Sequence, residues 1–158
     1  MLTRLFYHFI RFGEGKIRYK SHVFTVEIAD SFSKQALGLM YRKSMKKDHG
    51  MLLAFNKEGR YDIWMMNMRF PIDILWLSAS GKILKIAEKA VPCKSLFSCP
   101  PYKSPENAKY VLELNAGTVH KVKMRIGDRI SLKHSLIEKM FGATKGLGPF
   151  VRDETDRF

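Results

Sequence analysis

The feature that most restricts this chain is its β-type patterning, in which short apolar runs recur between turn signals from Phe24 to Lys133. Phe24, Val26 and Ile28 alternate with Thr25 and Glu27, the period of two expected for a strand with one face in a core. Met51 to Phe55 is a continuous apolar run that suits a buried strand. Tyr61 to Met68, Ile72 to Leu77, Lys82 to Val91, Tyr110 to Asn115 and Arg129 to Lys133 are further β-rich stretches. Asn56 to Arg60, Ser80-Gly81 and Gly127-Asp128 read as turns, and Pro71, which has no N–H to give a ladder, belongs in a loop or at a strand end. In Lys82 to Val91, Leu84 and Ile86 are expected inside.

Helical signals are brief. Ser33 to Met40 holds helix formers with Asp30, Ser31 or Ser33 available as a cap, and Thr118 to Met124 allows a turn or two. Ser135 and Glu138 fit a capping box for a short helix through Phe141. Neither internal repeats nor heptads occur. The expected fold is mainly β, a β-sandwich or open barrel with one or two short helices.

A length of 158 residues supports one hydrophobic core and so a single compact domain. We divide the chain into a basic amphipathic segment at 1–16, a β-rich domain at 17–133, and a short helix with a mobile tail at 134–158. In the first segment Leu2, Leu5, Phe6, Phe9 and Ile10 recur at helical spacing, opposite Arg4, His8 and Arg11. His8 interrupts the apolar run that a secretory leader needs, which favours a cytoplasmic location over export and allows peripheral membrane association through Met1 to Phe12. No stretch approaches the ~20 apolar residues of a spanning helix.

The formal charge is +13, with 28 Lys plus Arg against 15 Asp plus Glu. Such a field favours encounters with polyanions, so a nucleic-acid or membrane surface is one partner class to test. The excess is spread along the chain, and only Arg42, Lys43, Lys46 and Lys47 form a tight run.

Pro92 to Lys109 is a long connection without apolar periodicity, and it contains both cysteines and four of the six prolines. Without that periodicity its own side chains are expected to bury too little surface to offset the entropy of ordering it, so a further constraint is expected to pin it. Cys93 and Cys99 are expected to be near neighbours, with Cα atoms within about 7 Å, joined by a crosslink or held as a close thiol pair. A nucleophilic thiol served by His49 or His120 is the alternative reading. Structural zinc is disfavoured because the loop holds no histidine, and neither a metal nor a cofactor is expected. No phosphate loop, dinucleotide fingerprint or zinc-protease motif is present.

Trp64, Met65, Met66, Asn67 and Met68 bring aromatic, thioether and amide groups together just before Pro71 and Asp73. An aromatic plate with convergent polar groups is how small-molecule pockets are built. The competing reading buries Trp64 and the methionines in the core and leaves Asn67 and Asp73 to fix a turn. Asp62, Asp73 and Glu113 are candidate acids, but no local spacing pairs them as acid and base.

Leu37-Gly38-Leu39-Met40-Tyr41-Arg42, Gly50-Met51-Leu52, Trp64-Met65-Met66-Asn67-Met68, Pro71-Ile72-Asp73, Pro92-Cys93, Cys99-Pro100-Pro101-Tyr102, Tyr110 through Gly117 and Gly127-Asp128 occur in an order that resembles domain of unknown function 192, also called uncharacterised protein family 0127. The likeness covers about residues 20 to 133. It implies a compact, mostly β fold found in prokaryotic proteins, many of them exported, and it brings no assigned activity. Met66 stands where relatives carry a lysine and Met68 where they carry a threonine. Together these observations favour a non-catalytic module that binds a small molecule or a protein through Trp64, Asn67, Asp73, Tyr102 and Glu113, with the cysteine loop shaping one wall. The alternatives are an anionic-surface binder and a thiol-dependent enzyme.

Overall fold

A computed structural model describes residues 9–95 and 97–132. Most of the amphipathic segment at Met1 to Phe12 and the whole of the region after Leu132 lie outside the described residues. The elements run β1 (Gly13–Tyr19), β2 (His22–Ala29), α1 (Phe32–Leu37), β3 (His49–Gly59), β4 (Ile72–Leu77), β5 (Ile83–Ala90), β6 (Ala108–Asn115), α2 (Thr118–Val122) and β7 (Ser131–Leu132). β1 therefore starts within the stretch set apart above as the N-terminal segment.

All seven strands join one sheet in the order β5-β4-β6-β3-β2-β1-β7. β2 and β3 are parallel, and the other pairings are antiparallel. A parallel pair cannot be closed by a tight turn, and the crossover between β2 and β3 is the segment that holds α1. The sheet curls until its two ends meet in an open barrel. The N–H of Ile83 donates to the Asp128 carbonyl at 2.8 Å, and the N–H of Ile130 donates to that of Gly81 at 2.9 Å. Gly81 is required at this seam: its φ is +77°, and a Cβ there would stand 2.2 Å from the Ile130 carbonyl oxygen.

Alternation along the strands separates two cores. Inside the curl lie Tyr19, Phe24, Val26, Ile28, Leu52, Leu75, Leu112 and Leu114. On the outer face Met51, Leu53, Ile72, Ile74, Trp76 and Val111 pack beneath Leu39, Ile63 and Met65, which come from the crossover and from the segment before β4. Covering both faces explains why β4 is buried at every position.

Three expectations change. Asn56 to Arg60 is not a turn, because β3 runs on to Gly59 through an irregular register between Ala54 and Gly59. Its polar side chains mark exposure of that end and not a break in the strand. Tyr61 to Met68 is not a strand, since only Ile63 forms a bridge, with Tyr102. Leu84 and Ile86 are only half-buried, whereas Ile83 and Ala90 are buried. Trp76 faces Lys85 but Leu77 faces Ile83, so Leu84 is the extra residue of a bulge that resets the alternation.

Candidate functional site

A cleft of about 370 Å³ opens on the outer face. One wall is α1 with Gly38 to Met40, and the other is the segment from Tyr61 to Met68. The floor is Leu53 and Phe55 of β3 with Glu113 of β6. α1 is fixed to the sheet by Gln35, whose Nε2 donates to the Ala54 carbonyl at 2.7 Å. Ser31 occupies its N-cap with extended backbone, but the Ser31 hydroxyl meets Ser33 at 3.3 Å and bonds no helix N–H.

The second wall is irregular, yet its backbone groups are paired outward to other segments. Ile63 and Tyr102 exchange two backbone hydrogen bonds, at 3.0 and 2.7 Å, and the N–H of Cys93 donates to the Met65 carbonyl at 3.1 Å. The buried Trp76 indole donates to the Tyr61 carbonyl at 2.8 Å. The Tyr61 ring lies flat on Phe55, with centroids 3.5 Å apart. At one end Asn67 clamps the two walls: its carbonyl accepts from the Tyr41 N–H at 2.9 Å and its Nδ2 donates to the Tyr41 hydroxyl at 3.0 Å. Asn67 has a φ of +57°, which its short polar side chain tolerates better than most.

Glu113 sets the electrostatics of the floor. It is 6% exposed, and burial and the charge of Arg42 act on its carboxyl with no hydrogen bond from the described residues beside them. Burial pushes its pKa from 4.5 up to about 7, with the positive charge of Arg42 acting the other way. Arg42 itself is ion-paired to Glu27 and lies over the Phe12 ring, 5.5 Å from its centroid. Glu27, Met51 and Glu113 are successive partners across β2, β3 and β6 and so form one row on the outer face.

The proposed site residues thus separate. Trp64 and Glu113 line the cleft, and Trp64 is a half-exposed rim residue, not a core one. Asn67 closes one end, while Tyr102 supports the wall from behind. Asp73 is elsewhere. It points to the inner side of the sheet, fully buried, where its carboxylate accepts from the backbone N–H groups of Lys89 at 2.9 Å, Gly117 at 3.1 Å and Val119 at 2.9 Å. Its task is to tie β5 and α2 to β4. Cys93 and Cys99 are joined in a disulfide with Cα atoms 5.2 Å apart, and no described cysteine is free. Both thiols are taken up in this bond. Among the described residues no cluster of His, Cys, Asp or Glu is arranged to hold a metal ion, and no helix is long and apolar enough to cross a membrane.

Met68, grouped with Trp64 above, also lines the cleft, as do Phe32, Phe55 and Tyr61, which the sequence did not single out. The run from Leu37 to Arg42 was the available signal for this wall, because it follows a short helix and contains a glycine stop.

Comparison with other proteins gives a consistent result. A UPF0127 protein of Thermococcus kodakarensis is 29% identical over 108 residues, 67% of this chain and 63% of that protein, so the chain spans somewhat less than two thirds of that relative. A crystal structure of a proposed transcription regulator from Sinorhizobium meliloti is 38% identical and superposes with a TM-score of 0.70, covering 77% of this chain and 95% of the other. A protein of unknown function from Novosphingobium aromaticivorans is 28% identical with a TM-score of 0.67, covering 77% and 85%. The model of DUF192, described as an uncharacterized ACR family, matches residues 15–132, and the chain belongs to that family.

Proposed function

We propose that the protein is a binding module that takes a small, largely apolar molecule in the cleft between α1 and the segment from Tyr61 to Met68. The observation that carries this reading is the convergence of Trp64 and Glu113 on one concavity whose volume, about 370 Å³, lies in the range of small-molecule sites. Binding is favoured over catalysis because, among the described residues, Glu113 has no titratable partner free to act with it. The other carboxylate at the cleft, Asp62, accepts from Lys103 Nζ at 2.8 Å and from the Ser104 N–H at 2.9 Å. The test is a fragment screen read by thermal shift and by the NMR signal of the Trp64 indole. Ligands of the cleft should raise the midpoint and move that signal, and the rise in midpoint should vanish in Trp64→Ala. Ligands that raise the midpoint while the Trp64 indole stays still would locate binding elsewhere.

A second reading, contact with nucleic acid, draws support from the charge of +13 and from a hollow of about 280 Å³ lined by His22, Lys47 and Lys121 together with Asp48. The name carried by the Sinorhizobium protein agrees with it. Phosphate contacts must weaken as salt rises, so titration against duplex and single strand at several ionic strengths decides it. Absent or salt-independent binding removes this reading.

A further inference from the structure

The cleft differs in sign from the molecule around it. The chain carries +13, yet among the described residues no Lys, Arg or His lines this cavity. Its walls present the aromatic rings of Phe32, Phe55, Tyr61 and Trp64, and its carboxyls are Asp62 at the rim and Glu113 on the floor. Asp62 is engaged by Lys103, which leaves Glu113 as the acceptor without a protein donor among the described residues. Aromatic faces attract cations through the ring quadrupole, and a buried carboxyl with no donor is satisfied best by a ligand that brings one. We infer that the cleft selects an organic cation, an apolar body carrying a protonated amine, with the amine donating to Glu113 and the body lying among the four rings. This rests on the reading of the cleft as a binding site and names its ligand class.

The surrounding charges fit that assignment. Arg42, whose positive charge acts on Glu113, has its guanidinium held by Glu27. Lys103 is held by Asp62, and Tyr61 donates its hydroxyl to the Lys57 carbonyl at 2.7 Å. With burial raising the Glu113 pKa to about 7, an empty cleft holds a neutral acid at mildly acidic pH. An ammonium ligand displaces that proton, so its affinity rises with pH through neutrality, whereas a neutral ligand's affinity does not.

The experiment compares phenethylamine, 2-phenylethanol and 3-phenylpropionate, which share a body and differ in charge. Each is titrated into the full chain and followed by calorimetry and by the Trp64 indole signal. The amine should bind at least about tenfold more tightly than the alcohol near pH 8 and lose that preference near pH 5.5, with the carboxylate weakest throughout. Glu113→Gln should abolish the preference and leave the alcohol's affinity within about twofold, a result that also shows the variant is folded. Equal binding of amine and alcohol to the wild type across this pH range, or preference for the carboxylate, overturns the inference, and neither result depends on the variant. If neutral molecules move the Trp64 indole but the amine does not, the cation assignment fails and the cleft reading stands. If nothing moves it, both fail.

Discussion

Two buried acids sit one register step apart on neighbouring strands, Asp73 opposite Leu114 and Glu113 opposite Ile74, and they face opposite sides of the sheet. On the inner side Asp73 has three backbone donors and ties β5 and α2 in place. On the outer side Glu113 has no donor from the described residues and opens into a cleft. Burial alone does not separate the two. The supply of donors does: Asp73 is used as architecture, and on our proposal Glu113 is the acid that meets a ligand.

The contrast can be broken at either acid. Asp73→Ala leaves buried backbone N–H groups unpaired and should cost about 4 kcal/mol in urea denaturation, with Asp73→Asn intermediate because the amide oxygen still accepts. An Asp73→Ala loss below about 1 kcal/mol would mean that these bonds do not hold β5 and α2.

Glu113 should behave in the opposite way. A folded-state pKa raised to about 7 means the folded protein holds the proton more tightly than the unfolded chain. That contribution is fully present below the unfolded pKa near 4.5 and is lost as pH rises through about 7. The wild type should therefore lose about 3 kcal/mol of stability from this group between pH 4.5 and pH 8. Glu113→Gln should flatten that part of the profile and be the more stable protein at pH 8. A loss of stability in Glu113→Gln at pH 8 would show that the carboxylate has a partner after all.

The disulfide sharpens the comparison from the cleft side. By the chain-entropy argument, replacing Cys93 and Cys99 with Ser should cost about 2 kcal/mol for so short a loop. The Cys93 amide bonds Met65, so hydrogen exchange at Cys93 and Ile63 should speed up while the amides of Gly117 and Val119 beside Asp73 stay protected. Uniform acceleration would mean that the two faces unfold as one unit. The smallest expected effect is that of Trp64→Ala. A half-exposed rim residue should change stability by less than about 1 kcal/mol, so any loss of ligand binding in this variant is local to the cleft.

Much of the barrel was legible because burial in strands has a period of two. The inner face of β2 follows directly from Phe24, Val26 and Ile28, and β4 from its apolar run. The cleft was legible only in its parts. Trp64 and Glu113 lie far apart in sequence and meet because α1 and the irregular wall fold over the same strip of sheet. The β-like composition of Tyr61 to Met68 misled because these residues do bury apolar surface, but their backbone pairs with Tyr41, Cys93 and Tyr102 and not with a strand ladder. Asp73 sits beside Asn67 in a motif-rich stretch, and only the pleat, which sends Asp73 to the inner side, separates it from the cleft. The competing sequence reading gave Asp73 only a turn to fix, whereas its carboxylate accepts amides that lie 16, 44 and 46 residues away in the chain. That Glu113 has no donor among the described residues could not be read at all, since it depends on the placement of segments remote in the chain.

The most direct test of this account is a pH titration of the side-chain carboxyl carbons in glutamate-labelled protein, with Glu113 assigned by comparison with Glu113→Gln. A midpoint near 7 for Glu113 is the predicted result. A midpoint at or below its ordinary value of 4.5 would contradict it, because such a carboxyl must already have a donor or a cation beside it and could not be held open for a ligand.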